Sequence, residues 1–160
     1  MIKTKISGIQ QVQAALRKEV EKLTDGDKYV LVGYPETVGD HPDGESIAFV
    51  AAANQFGTDT IPARPFLDVG VASVEKEINT IAEEGIAEVY DGKSTITDVL
   101  NRIGITAVGG VQKTITEIKS PANAISTIKN KKSANPLIDT GIMRQATTYI
   151  LSKDKPKEGI

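Results

Sequence analysis

Few side chains in this 160-residue sequence could do chemistry, and their spacing assembles no recognisable reaction centre. His41 is the only histidine and cysteine is absent, so a site of nitrogen and sulfur ligands finds no second ligand. His41 stands beside Pro42 and between Asp40 and Asp43, and reads as a surface loop residue. Glu75, Glu77, Glu83 and Glu84 are dense enough to pair, but they alternate with an aliphatic stripe and read as the solvated face of a helix. General acid–base catalysis needs a carboxyl moved off its ordinary pKa by a pocket, and the sequence nominates none. There is no Gly-x-Ser-x-Gly elbow, no phosphate loop and no His-Glu-x-x-His motif. Gly104 with Gly109 or Gly110 misses the dinucleotide spacing and follows no strand. The expectation is a protein that is not an enzyme and needs no cofactor or metal.

Charge points the same way. The net charge of -2 argues against a dedicated nucleic-acid binder, and an aromatic fraction of 4% leaves few rings on which bases could stack. The distribution is uneven, however. Residues 1–111 carry 10 basic and 17 acidic side chains, whereas residues 112–160 carry 9 and 4. Two readings follow: a solvated basic tail, or a functional asymmetry, either head-to-tail complementarity between neighbouring copies or contact with an acidic partner. The run Lys129-Asn130-Lys131-Lys132 can touch phosphates, which makes a nucleic-acid-binding accessory protein using residues 113–132 the alternative function.

The elements that must position these residues follow from periodicity. The length suits one domain, here 1–152, with a flexible charged tail over 153–160. No apolar run reaches the roughly 18–20 residues of a membrane span, and the first residues lack the apolar stretch of a secretory signal. Ile6, Ile9, Val12, Leu16, Val20 and Leu23 recur every three or four positions and predict an amphipathic helix over 5–24, capped by Thr4 or Ser7. Thr24-Asp25-Gly26-Asp27 stops it, and residues 29–34 read as a strand. Residues 35–44 read as a loop and 45–56 as a short helix with almost no polar face, which must be buried or face a partner. A second helix is expected over 66–84, continuing or fraying toward Val89, with Pro65 able to open it. Thr95 and Asp98 fit a capping box before a third helix reaching about Ile118. Gly104, Gly109 and Gly110 inside it admit another backbone or mark a kink; a break at Gly109-Gly110 is the competing reading. Residues 119–139 read as irregular and basic, and 146–151 as a last strand sharing a sheet with 29–34.

Three separated segments carry a resemblance. Asn54-Gln55-Phe56-Gly57-Thr58 is followed by Ile61-Pro62-Ala63-Arg64-Pro65-Phe66-Leu67, and much later by Pro136-Leu137-Ile138-Asp139-Thr140-Gly141-Ile142-Met143-Arg144. In this order they resemble the tail-completion and head-to-tail joining proteins of tailed bacteriophages, over roughly residues 5 to 151. That family often has glutamate before its Phe-Gly pair, where this chain has Gln55. The resemblance implies an α+β fold, a small and mainly antiparallel sheet packed against several helices. It implies a structural virion protein at the head-proximal end of the tail, assembled in the host bacterial cytoplasm as a homo-oligomeric ring, a hexamer. Its implied partners are the tail tube or tail terminator and the head connector or stopper, with genomic DNA passing through the lumen unread and no membrane involved. The expected interface and motif residues are Phe56, Gly57, Ile61, Pro62, Arg64, Pro65, Phe66, Lys129, Lys131, Lys132, Asp139, Thr140 and Gly141.

The residues themselves allow a physical account of the motif. Phe56 and Phe66 flank a loop stiffened by Pro62 and Pro65, and can anchor it to the core or to a neighbour. Arg64 can pair with a carboxylate such as Asp139 or bond backbone carbonyls. Asp139 or Thr140 can cap the turn before the last strand.

Overall fold

A computed structural model describes residues 14, 15, 18, 28–42, 44–131 and 133–154. Ala14, Ala15 and Lys18 are helical; the rest of the expected helix over 5–24, with its Thr4 or Ser7 cap, lies outside the described residues, as do Lys132 and 155–160. The fold is α+β, with six α-helices and a two-stranded antiparallel sheet among the described residues. Strand β1 (Tyr29–Gly33) pairs with β2 (Thr148–Ser152) in the register Tyr29↔Ser152 to Gly33↔Thr148. The two ends of the described chain thus meet in one sheet, as the sequence predicts, although β2 starts two residues later than expected. Ala146 instead ends a short helix.

Between the strands run a 3₁₀ turn (Glu36–Val38) and helices α1 (Ile47–Phe56), α2 (Phe66–Ser73), α3 (Glu75–Tyr90), α4 (Ile96–Glu117), α5 (Ile125–Lys131) and α6 (Ile142–Ala146). Helix α4 is the spine, packing against α2, α3 and both strands. Its start follows the sequence signal: Thr95 Oγ1 accepts from the Asp98 amide at 3.1 Å, and the Thr95 amide donates back to Asp98 at 3.1 Å. The Thr95 hydroxyl and amide hold the Asp98 carboxyl below its ordinary pKa.

Helix α4 does not break at Gly109-Gly110. Its buried seam runs through Val99, Gly104, Ala107, Gly110, Val111, Thr114 and Ile115. A Cβ on Gly110 would overlap the Gly70 carbonyl, and one on Gly70 would overlap the Val111 backbone, so the pair of glycines sets how closely α2 and α4 approach.

The helix expected over 66–84 is two helices hinged at Val74, whose φ of -115° and ψ of 10° leave the α region. The Ser73 hydroxyl donates to the Gly70 carbonyl at 2.7 Å and competes with the main-chain ladder at that point. The segment 119–139, expected to be irregular, holds α5.

Among the described residues, one core cluster joins Ile47, Ala51, Phe66, Val111, Ile115, Leu137 and Met143. Each such side chain contributes roughly 1.5–3 kcal/mol on full burial if it is Val-sized or larger. Three of the seven, Phe66, Leu137 and Met143, come from the segments that carry the family resemblance. No helix among the described residues is long and apolar enough to cross a membrane.

Candidate assembly site

The proline-braced loop begins at Gly57, which has a φ of 78°. A side chain there would be strained by the backbone and would press on Ala63 N and Ile61 O, so the position takes glycine for two reasons. Thr58 then closes a tight turn: its amide donates to Ile61 O at 2.8 Å and its hydroxyl accepts from Ile61 N at 3.0 Å. Ile61 and Pro62 lie at the tip, half-buried and exposed respectively. The loop folds back on the end of α1 through Arg64 N, which donates to Asn54 O at 2.7 Å.

Arg64 is 1% exposed. Its Nε donates to Pro121 O at 2.7 Å, one Nη to Asn54 Oδ1 at 3.1 Å and the other to Asn123 Oδ1 at 3.0 Å. Of the two expected arrangements, the bond to a backbone carbonyl holds and the pairing with Asp139 does not. A buried guanidinium needs its donors met, and its planar fork meets three acceptors in three directions. Burial pushes its pKa below the ordinary value. Asn123 Nδ2 passes the chain on to Pro136 O at 3.2 Å. Asn54, Arg64, Asn123 and Pro136 thereby stitch the three motif segments into one junction.

Gln55, also buried, does a second job at the same place. Its Oε1 accepts from Leu67 N at 3.0 Å and its Nε2 donates to Asp68 Oδ2 at 2.7 Å. Pro65 precedes α2 as its N-cap, with no side-chain acceptor to offer, so Gln55 supplies the missing one from the neighbouring helix. Pro65 therefore flanks α2 instead of opening it.

The two aromatics divide. Phe66 is 0% exposed and its ring meets Tyr34 edge-on at 6.3 Å. Phe56 is 65% exposed, so it does not anchor the loop to the core. Phe49, two turns earlier on α1, is 69% exposed. Helix α1, apolar all round by sequence, thus buries Ile47 and Ala51 and leaves two phenyl rings on its outer face.

Asp139, Thr140 and Gly141 lie against α1 and line a cleft of about 190 Å³ with His41 and Asn54. That volume is below the roughly 300 Å³ of small-ligand pockets. Thr140 Oγ1 lies 3.3 Å from His41 Nε2 and 3.4 Å from the Ile142 amide that it caps, while Gly141 takes the left-handed conformation before α6. The cap at this turn is therefore Thr140, not Asp139. No group of three or more His, Cys, Asp or Glu among the described residues could hold a metal ion. Lys129 is exposed on α5 and Lys131 ends that helix.

Sequence reasoning missed Asn123 and Asn135. The Asn135 side chain donates to Ile115 O at 3.2 Å and Thr116 O at 2.9 Å, and accepts from Leu137 N and Ile138 N. It satisfies carbonyls left open at the end of α4 while turning the chain toward Leu137. The Asn-Pro step ahead of Pro136 was the available signal. Asn123 had none beyond an isolated amide in a polar stretch.

The architecture is thus that of a small α+β protein with a polar junction under a stiff loop and an apolar outer helix face. No family model matches the chain, and no curated protein or solved structure matches it either.

Proposed function

We propose that this chain is a structural virion protein of a tailed bacteriophage, without a catalytic step. It forms a ring at the head-proximal end of the tail, completing the tail and joining it to the head connector. The observation that carries the reading is the outer face of α1. Phe49 and Phe56 stand exposed on the helix whose inner side locks the motif junction, and solvent-facing aromatic pairs of this kind favour contact with another protein. A closed ring needs one patch to meet a different patch of the next copy, and the acidic front and basic rear of the sequence supply complementary charge. The tail tube or terminator and the head connector or stopper are the remaining partners, and DNA passes the sixfold lumen without base contacts.

The test is electron microscopy of the purified chain, alone and with tail tubes. Rings in either preparation support the reading. Monomers in both, together with virions that lack the chain, overturn it. Reversing Lys129, Lys131 and Lys132 to glutamate is expected to weaken ring formation more at low salt than at high salt. Duplex DNA retarded at low salt by a chain that forms no rings would favour the accessory-protein reading instead.

A further inference from the structure

Helix α5 is carried on a basic arm clasped at both ends. Arg64 holds the chain just before it, through Pro121 O and Asn123 Oδ1, and Asn135 holds the chain just after it, through Ile115 O and Thr116 O at the end of α4. Between the clasps the charge has one sign. Residues 118–138 contain Lys119, Lys129, Lys131 and Lys132 and no Asp or Glu. Ile125 opens the helix at 75% exposure, the highest of any large hydrophobic side chain among the described residues. Lys129, also exposed, follows four positions later and so shares its helix face. An apolar side chain flanked by cations suits a surface that is both apolar and acidic.

Helix α3 presents such a surface. It carries five glutamates and one base, Lys76. One side of α3 belongs to the fold, where Gly85 meets Val99 of α4. On another side stand Ile86 at 52% exposure and, four positions on, Tyr90 at 69%. Glu83, Ile86 and Tyr90 fall within roughly 60° of arc at about 100° per residue, so an exposed carboxylate borders the apolar pair. The acids nearest the end of the helix are already paired: Glu88 with Arg102 at 2.6 Å, and Asp91 with Lys93 at 2.8 Å. Glu83 and Glu84 are exposed and take part in no ion pair among the described residues. Within one chain α3 packs on α4 and α2, not on α5, which leaves the two matching surfaces to meet between copies.

We propose that α5 of one copy docks on the exposed face of α3 of a second copy, with Ile125 seated against Ile86 and Tyr90 and Lys129 reaching Glu83. The inference rests on the part of the proposed function in which copies of this chain meet. It names the two different patches that a head-to-tail contact requires.

The full chain lacks cysteine, so single introduced thiols report without background. Two single-cysteine variants, one of them tagged, are mixed under mild oxidation. Ile125→Cys is expected to form a disulfide with Ile86→Cys of the other chain at least tenfold faster than with Phe49→Cys, although Phe49 is the more exposed site. Equal rates, or a faster reaction with Phe49→Cys, overturn the proposal. Charge exchange gives a second readout without thiols. In sedimentation at low salt, Glu83→Lys/Glu84→Lys and Lys129→Glu/Lys131→Glu are each expected to weaken self-association at least tenfold. An equal mixture of the two variants is expected to return to within threefold of wild type, because every contact between unlike variants again joins opposite signs. A mixture that associates no better than either variant alone overturns the proposal, and a wild-type chain that shows no association overturns it together with the ring. Restored association without ring particles keeps the contact and removes the ring alone.

Discussion

The inner and outer sides of α1 meet different surroundings. The inner side holds Asn54 and Gln55, each hydrogen-bonded to the proline-braced loop or the helix after it, above Phe66 at zero exposure. The outer side presents Phe49 and Phe56 with no such engagement at 69% and 65% exposure. One half of the motif therefore has a full account inside the monomer. The other half does not, because burying a phenyl ring gains free energy and these two rings forgo it. The difference separates residues that hold the described fold together from residues that stay in solvent, and substitutions on the two sides are expected to fail in different ways.

The largest effects belong to the inner side. Phe66→Ala empties a fully buried site and is expected to lower stability by about 3–5 kcal/mol, read from chemical denaturation. Arg64→Leu keeps the bulk but strands the acceptors on Pro121, Asn54 and Asn123, with an expected loss of about 2–4 kcal/mol. Arg64→Lys keeps the charge without the fork and should recover only part of that loss. A wild-type midpoint for either Arg64 variant would mean that the junction is incidental to the fold, and the comparison would collapse.

Gln55→Glu tests the same side more gently and replaces the amide with the acid often found in the resembled family. The new carboxylate would face Asp68 where Gln55 now donates at 2.7 Å, so about 1–3 kcal/mol should be lost at neutral pH. Like-charge repulsion raises the native pKa of the pair. The native state then binds more protons than the unfolded chain, and the penalty should shrink as pH falls toward 4. A pH-independent difference from wild type would point to lost hydrogen bonding instead of charge.

Much of this architecture was legible before the structure. The Thr95–Asp98 box and the long stripe gave α4, and β-branched residues between a turn and Pro35 gave β1, because both signals are local. The hinge at Val74 was not legible, since it depends on α4 pressing against Gly70 and on a serine hydroxyl that sequence alone leaves free to point anywhere. Arg64 was legible as a motif residue and illegible as a core residue: its acceptors sit 10 to 59 positions away, and no spacing rule links them. Phe56 and Phe66 look alike in sequence, and only the direction in which each leaves its helix decides that one is core and the other surface.

Tyr34 offers a milder probe of the inner side, through Phe66 and Thr147. Its hydroxyl lies 2.8 Å from Thr147 Oγ1, and burial pushes its pKa up to about 12, partly offset by that hydrogen bond. A raised pKa means the folded state keeps its proton longer, so this contribution is intact below the unfolded value near 10 and is lost as pH climbs to about 12. Within that window stability should fall by up to about 1.4 kcal/mol per pH unit on this account. Tyr34→Phe should cost about 0.5–1.5 kcal/mol at pH 7 and flatten the alkaline slope. An unchanged slope would place the alkaline sensitivity elsewhere.

The smallest expected effect on stability is the most telling. Phe49→Ser and Phe56→Ser change rings that are already mostly in water, so the monomer should melt within about 0.5 kcal/mol of wild type. If the outer face of α1 meets another subunit, the same changes should abolish ring particles, because a few desolvated aromatics carry most of an interface's energy. Thermal melts and electron microscopy on one preparation separate the outcomes. Normal melting with lost rings assigns the outer face to assembly. Normal melting with intact rings removes these two residues from the interface and leaves the charge asymmetry as the feature to pursue. A large drop in melting temperature would mean that the rings are held in the monomer after all, and the distinction between the two sides of α1 would have to be abandoned.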